Sequence, residues 1–461
     1  MNPSAHTEVA IVGGGLWGLA AAHFLARLAP ESEVSVFEAA PRPGGAVRTL
    51  RRDGFLFDAG PSSLLDNSPD LRRLLAGSGL AGHVIEAREA AARNRFILRG
   101  GALRRVPASP PALLRSDLLS AAAKLRVARE PLVRRAPADA EESLEEFVRR
   151  RLGREFVDYG ADPFVAGTFA GSPSELCVRS AFPRLWRLEQ EHGSLIRGAA
   201  GLSRRRGEPA AAAGPGGGIA SFSGGMQTLV EGLAAPLGER LRTRARVTSV
   251  SRGPGGFRLA LEGPGAPACA TARAVLLTLP AHAYRDLRLD SDVPEGLAGI
   301  PYPPVTAVFF GYERHPLDPP PEGLGFLVPR VEGRRILGTL WNSSAFAGRA
   351  PEGGAAFTTF VGGRRQPEIA AWDDGRLAEA VRGELRELMG IEPAPDVVLI
   401  HRWKRAIPQY VVGHRALMAG IDRLEAGCPG LFVGGNFRGG ISIGDCVTGA
   451  AEAARRIAAR L

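Results

Sequence analysis

Apolar positions along this chain follow two different periods, and the order in which the periods alternate predicts the architecture. Val9-Ala10-Ile11-Val12 is a continuous apolar run, as expected of a parallel strand buried on both faces. A glycine cluster follows, then an alanine- and leucine-rich helical stretch from Leu16 to Leu28, stopped by Pro30. Val34-Ser35-Val36-Phe37 predicts a second short strand, ending at Glu38. Together these make one βαβ unit, the opening of a dinucleotide fold.

From 93 to 218 the character changes. Pro107, Pro110 and Pro111 break the chain, and helical patterns rich in arginine dominate. Leu114, Leu118, Ala122 and Leu125 fall on one helical face, with Arg115, Lys124 and Arg129 around it. Such a face covers a core or rests on a lipid surface. The stretch 198–218, with Arg204-Arg205-Arg206 and the run Gly214-Pro215-Gly216-Gly217-Gly218, reads as a mobile surface excursion. Short strands return after Ile219: 246–251 and 257–261 flank Gly253-Pro254-Gly255-Gly256 as a hairpin, and 274–278 is a further buried strand. Between 300 and 410, β-like runs at 305–310 and 357–361 accompany a polar helix near 376–389. The last segment predicts a strand at Leu431–Val433, then Gly434-Gly435-Asn436 and a closing helix from about Asp445.

Composition narrows the class. A chain of 461 residues exceeds one compact core, so two or three domains are expected, and 45% hydrophobic with 23% charged residues is the balance of an ordered globular protein. The net charge of +10 would point to nucleic acid or an anionic membrane. The only lysines, however, are Lys124 and Lys404. An excess carried almost wholly by arginine fits GC-rich coding better than a nucleic-acid partner. Four scattered cysteines without a CxxC fit reduced thiols in a cytoplasm. No signal peptide is visible and no stretch approaches the ~20 apolar residues of a membrane-spanning helix, so any membrane contact is expected to be peripheral. The eight histidines form no metal-ligand cluster, and no metal is expected.

The candidate chemistry begins at the first turn. Gly13, Gly15 and Gly18 form GxGxxG between a predicted strand and a predicted helix, and Glu38 follows after the second strand. Gly13 permits the tight turn, Gly15 lets backbone approach a pyrophosphate, and Gly18 allows close packing of helix on strand. The helix N-terminus offers free N–H groups to the diphosphate, and Glu38 suits a ribose diol.

The residues just past Glu38 separate FAD from NAD. Arg42-Pro43-Gly44-Gly45, with Arg48 and Thr49 behind it, resembles the RxGG signature of the flavin amine oxidase and desaturase superfamily. Gly434-Gly435-Asn436 and Gly444-Asp445 look like that superfamily's second flavin contact, a helix N-terminus suited to the electron-rich edge of reduced flavin. The resemblance implies non-covalent FAD, since no Cys or His sits in a tethering motif. Its implied cofactor residues are Gly13, Gly15, Leu16, Gly18, Glu38, Arg42, Gly44, Gly45, Gly60, Pro61, Ser62, Val247, Trp403, Gly435, Ile441, Ile443 and Asp445.

Within the superfamily the chain resembles the protoporphyrinogen oxidases over nearly its whole length. The resemblance is carried by Asp58-Ala59-Gly60-Pro61-Ser62, Asn94-Arg95-Phe96 and Gly167-Thr168-Phe169-Ala170-Gly171, then Glu189-Gln190-Glu191-His192-Gly193-Ser194. It continues through Leu327-Val328-Pro329, Leu337-Gly338-Thr339-Leu340-Trp341, Ile407-Pro408-Gln409-Tyr410 and Asp445-Cys446-Val447. It implies an α/β fold: a Rossmann-like FAD-binding domain of the amine oxidase/p-hydroxybenzoate hydroxylase type, a mixed-sheet substrate domain and a helical, membrane-associated domain. The implied division is FAD-binding parts at 1–90, 216–296 and 419–461, a helical cap at 91–215 and a substrate domain at 297–418.

The implied reaction is six-electron oxidation of protoporphyrinogen IX to protoporphyrin IX, in three rounds of hydride transfer to flavin with oxygen as acceptor and peroxide released. Coproporphyrinogen III as substrate is the alternative, ahead of a carotenoid desaturase, an amine oxidase or a non-catalytic FAD scaffold. No catalytic side chain is expected, because the flavin carries the reactivity. Arg95 is implied as partner of a substrate propionate, Gly167 as backbone against the tetrapyrrole, and Leu324 and Leu327 as the pair packing on its face. Two positions depart from the family's usual pattern: Leu324 stands where Phe is common, and Phe360 where Met is. The implied setting is cytoplasmic and peripheral at the cytoplasmic membrane, with room for a homodimer.

Overall fold

The computed structural model describes residues 5–66, 68–206, 218–264 and 266–461. β1 (Ala5–Val12), α1 (Leu16–Leu28) and β2 (Val34–Phe37) form the βαβ unit, with Val12 opposite Phe37 in parallel register. The strand Cys269–Leu277 runs parallel on the other side of β1, and Leu431–Val433 runs parallel to it in turn. Segments far apart in sequence therefore end their strands at one edge: Val12, Phe37, Leu277 and Val433. The antiparallel hairpin Arg246–Gly253 and Gly256–Glu262 extends this eight-stranded sheet.

Both faces of the sheet are buried, which is why β1 reads as an unbroken apolar run. Val9 and Ile11 pack on one side with α1 and the closing helix Ile443–Ala458, while Ala10 and Val12 pack on the other with Tyr284, Leu424 and Phe437. The indole of Trp17 seats the closing segment on α1. A Cβ at Gly434 would lie 2.3 Å from that ring, so only glycine admits it.

A second sheet has seven strands, in the order Val397–Trp403, Val305–Tyr312, Ala355–Gly362, Ile336–Trp341, Gly325–Leu327, Phe96–Arg99 and Ala102–Arg105. The helix Asp374–Met389 covers one face, burying Leu377, Val381 and Leu385 against Val308, Phe310 and Phe326.

Four expectations need correction. The hairpin at 96–105 belongs to this second sheet through Gly325–Leu327, so the helical segment begins only after it. Leu114, Leu118, Ala122 and Leu125 do not share one helix. Pro110–Arg115 and Ala121–Ala128 are separate, because the Ser109 and Ser120 hydroxyls each accept an N–H and start a new helix, and Ser116 Oγ accepts from Leu118 N between them. Leu118 is buried, while Leu114 and Leu125 are exposed. Residues 195–206 form a helix that takes in the first part of the stretch 198–218, where a mobile excursion was expected, since the Glu130 carboxylate accepts the N–H groups of Leu195 and Ile196; residues 207–217 lie outside the described residues. Finally, the closing helix starts at Ile443, ahead of Asp445. No helix among the described residues is long and apolar enough to cross a membrane.

Candidate functional site

Parallel strands leave their ligand-binding loops at the carboxyl edge of a sheet. Here that edge carries Gly13, Thr278 and Gly434 side by side, with Thr278 Oγ1 donating to Gly13 O (2.9 Å) and Gly434 N to Leu277 O (2.8 Å). Gly13 has φ +115, and a Cβ there would meet Thr278 Oγ1 at 2.6 Å; one at Gly18 would meet Gly13 O at 2.1 Å. Those two glycines are required by the protein's own packing. Gly15 is different. Its nearest neighbour to an added Cβ is Gly45 Cα at 4.0 Å, so the space in front of it is open.

Gly44 N donates to Gly14 O (2.8 Å), which brings the RPGG turn against the first glycine turn. Arg42 closes that turn on itself, donating to Pro43 O (3.2 Å), Gly45 O and Val47 O (both 3.4 Å). α1 begins at Leu16 with no side-chain cap and no acid in its first turn. Its leading N–H groups and the positive end of its dipole are thus left for an anion. An open glycine cradle at an uncapped helix start fits a dinucleotide pyrophosphate.

Glu38 is already engaged: Oε2 accepts from Gly14 N (2.6 Å) and Oε1 from Ala40 N (2.7 Å). A carboxylate has about four lone-pair sites, so a half-buried one fixed this way still has an acceptor for each hydroxyl of a diol. Ala245 N donates to Glu38 O (2.9 Å), which places Val247, buried two residues further along its strand, beside this corner.

Gly60, Pro61 and Ser62 stand against the same turn. A Cβ at Gly60 would be 2.0 Å from Ala46 O, and Trp403 Nε1 donates to Ala59 O (2.7 Å). Gly435 (φ +136) follows the last strand. Ile443 packs in the core beside α1, and Ile441 against the helical segment. Asp445, expected as a cofactor residue, is engaged at the start of the closing helix. Its carboxylate accepts from Ser442 N (3.3 Å) and Ser442 Oγ (2.7 Å) while Ser442 Oγ accepts from Asp445 N (3.1 Å), a reciprocal cap that spends the side chain on the helix itself.

The second sheet supplies an apolar row. Leu327, Gly338, Phe360 and Ala307 are register partners across four adjacent strands. Gly338 and Ala307 are small and Leu327 and Phe360 half-buried, so bulky and small positions alternate along the row. The helix Asp162–Phe169 lies over it: a Cβ at Gly167 would be 2.4 Å from Leu327 Cδ2, and Phe360 packs on Ala166 and Ala170. Asp162 fixes this helix by accepting from Arg365 Nη2 (2.6 Å) and Arg330 N (2.7 Å). Leu324 packs in a different cluster, with Leu65, Ile85, Ala91, Ile219 and Phe346, and not with the row that holds Leu327.

Arg95 precedes the strand Phe96–Arg99 and sits two residues before Ile97, the partner of Leu327; side chains alternate along a strand, so Arg95 is on the Leu327 face. Its surface is exposed, and desolvation by surrounding protein lowers its pKa from the ordinary guanidinium value. Among the described residues its guanidinium has no hydrogen-bond or ion-pair partner. With no such partner, it is available to a ligand carboxylate.

Sequence reasoning gave no role to Thr278 or to the pair Asp162 and Arg365. Each acts through a contact with a residue more than a hundred positions away, which no local pattern reports.

Comparison with known proteins agrees with this arrangement. Residues 18–461 match the model of the flavin containing amine oxidoreductase family. The chloroplastic protoporphyrinogen oxidase of Oryza sativa subsp. japonica is 35% identical over 480 residues, covering 98% of this chain and 88% of the relative. The coproporphyrinogen III oxidase of Bacillus subtilis (strain 168) is 27% identical over 451 residues, 95% of each chain. A solved structure from Exiguobacterium sp. 255-15, provisionally assigned as a protoporphyrinogen oxidase, matches with TM-score 0.81 and 28% identity over the whole of both chains.

Proposed function

The chain belongs to the flavin containing amine oxidoreductase family, and from that premise we propose that it oxidises protoporphyrinogen IX to protoporphyrin IX. The observation that carries this reading is the apolar row under Gly167, with Leu327 and Phe360 on it and an unpartnered arginine on the same face. A flat, hydrophobic macrocycle with anionic side chains needs those two things together.

The Gly15 and Gly45 cradle, the start of α1 and Glu38 would hold FAD, which would supply the hydride acceptor. The rest is positioning. Gly167 gives the macrocycle backbone to lie against, Leu327 and Phe360 exclude water from its faces, and Arg95 orients a propionate through two parallel hydrogen bonds. Because Arg95 is fixed outside the apolar row, it sets the in-plane rotation of the ring, and so selects which bridge carbon is presented.

Coproporphyrinogen III is the second reading, supported by the relatives that carry that name. It has two more propionates in place of vinyls. Anaerobic reduction of the FAD-loaded protein by each porphyrinogen separates the two. Protoporphyrinogen is expected to bleach the flavin faster, by about tenfold or more at equal subsaturating concentration, the scale set by one unmatched polar contact. Faster bleaching by coproporphyrinogen would exchange the readings, and bleaching by neither would overturn both.

We further propose that the protein works on the cytoplasmic face of the membrane, held peripherally by the helical segment. Leu114, Leu125 and Leu132 are exposed there, Leu132 at 80%, with exposed Arg129, Arg134 and Arg135 close by in the chain. That pairing of apolar tips with cations suits an anionic bilayer. The protein is expected to sediment with anionic vesicles, to be partly released by high salt, and to lose most of its sedimentation when the three leucines become serine. Sedimentation unchanged by the triple substitution would count against this face.

A further inference from the structure

Residues 406–412 form a strap that touches both halves of the site, and its two central side chains have no role in the proposed function. Gln409 is fully buried and Tyr410 nearly so. Backbone bonds anchor the strap on two sides: Gln409 N donates to Pro301 O (2.9 Å), and Tyr410 O accepts from Cys177 N (2.8 Å).

The Tyr410 hydroxyl spans the loop that leaves the last strand of the parallel sheet. It donates to Asn436 O (2.6 Å) and accepts from Gly440 N (2.9 Å). Its ring stacks on His414 at 4.4 Å and 10°. His414 Nε2 lies 2.9 Å from Phe437 O; a carbonyl can only accept, so Nε2 carries the proton. Burial holds His414 down at about 4 and raises the Tyr410 phenol well above its ordinary value, so both groups are neutral donors. Three carbonyl or amide groups of one short loop are thus held by two stacked rings. That loop emerges at the carboxyl edge beside Gly13, where the sheet topology puts the ligand.

Gln409 holds the other half. Its Nε2 donates to Phe169 O (2.8 Å) and Ile407 O (3.0 Å), and two carbonyl partners fix which end of the amide is nitrogen. Oε1 then points at Gly171, where a Cβ would be 2.3 Å away. Phe169 is the last residue of the helix that carries Gly167.

We infer that Tyr410 and Gln409 are positioning residues that lock the loop 434–440 and the C-terminal end of the Asp162–Phe169 helix to one strap, holding the cofactor side and the macrocycle side of the site in register. The inference rests on the flavin half of the proposed function and not on the choice of porphyrinogen.

Tyr410→Phe keeps the stacked ring and removes both hydroxyl bonds. It is expected to weaken FAD binding to the purified full-length protein about tenfold, measured by titrating flavin into flavin-stripped protein, and to move the midpoint potential of the bound flavin. Gln409→Met keeps the volume and frees only the helix end. It is expected to raise KM for the porphyrinogen severalfold while leaving the FAD affinity as in the parent. A Tyr410→Phe protein that binds FAD within twofold of the parent at the parent's potential would overturn the inference, even if its melting temperature fell, because the hydroxyl would then be merely structural. Gln409→Met with an unchanged KM would overturn the coupling to the helix. A parent that takes up no FAD would instead overturn the flavin reading itself.

Discussion

Replacing Arg151 by methionine is expected to cost about 3–5 kcal/mol of folding stability, the usual penalty when one partner of a buried ion pair is removed. Arg151 is fully buried in the helical segment, as are both of its acids. Its Nε donates to Glu130 Oε1 (2.5 Å), Nη1 to Glu189 Oε1 (2.5 Å) and Nη2 to Gly193 O (2.9 Å). The two acids are not equally stranded by its loss. Glu189 keeps Arg150 at 2.7 Å, whereas Glu130 keeps only neutral donors: Ser194 Oγ (2.5 Å) and the N–H groups of Leu195 (2.9 Å) and Ile196 (3.2 Å). Glu130 is therefore the charge that destabilises the variant. Arg151→Met with Glu130→Gln should recover part of the loss, because a neutral amide oxygen still caps the helix at 195–206.

The pH dependence has a fixed sign. Burial acts to raise the Glu130 pKa, but bonds from Ser194, Leu195, Arg151 and Ile196 outweigh it and hold the carboxyl below its ordinary range. A depressed folded value contributes stability above the unfolded pKa, and that stability is lost as pH falls through the folded one. Without Arg151 the loss should begin at higher pH. Urea unfolding of each protein at the same FAD excess checks both points, since a bound cofactor adds its own stability. A single variant within about 1 kcal/mol of the parent would show that the cluster is weakly coupled to folding.

How far such features are legible in the sequence depends on how local their causes are. β1, α1 and β2 could be read because both faces of β1 are buried and Gly18 is forced by Gly13 O within the same unit, although Gly13 itself packs on the distant Thr278. The hairpin Arg246–Gly253 and Gly256–Glu262 could be read for the same reason, its turn glycines lying between its own strands. The face through Leu114, Leu118 and Leu125 was misread because periodicity ignores capping. Serines at 109, 116 and 120 satisfy backbone N–H groups locally and break the helix into pieces. The helix at 195–206 was missed because its start is stabilised by Glu130, a residue far upstream. The buried arginines could not be told from the rest. Arg151 and Arg349, like the half-buried Arg365, look like any others in so arginine-rich a chain, and only their carboxylate and carbonyl partners, distant in sequence, set them apart. At the candidate site, the glycine turns could be read from residue type. The apolar row could not, since Leu327, Gly338, Phe360 and Ala307 come together only through strand register.

Arg95→Ala should lower kcat/KM for the porphyrinogen about tenfold to a hundredfold. The lost contact is a charge-assisted hydrogen bond, worth on the order of 1.5–3 kcal/mol, and ~1.4 kcal/mol is a factor of ten. The structure makes this a clean test. Arg95 has no acidic partner among the described residues, so its removal strands no charge, and the variant should melt with the parent. Its backbone stays in place, because Val106 N donates to Arg95 O (2.8 Å) whatever the side chain. A propionate held equally in ground and transition states contributes uniform binding, so the loss should fall mainly on KM. Arg95→Lys should recover only part of it, since a point charge cannot reproduce the planar fork that pairs with both carboxylate oxygens. The flavin absorption spectrum should not change, because the residue stands on the macrocycle side of the site, away from the Gly15 and Gly45 cradle. Steady-state porphyrin fluorescence with each variant decides it. Arg95→Ala within twofold of the parent, at matched flavin content, would place the propionate anchor elsewhere in the site.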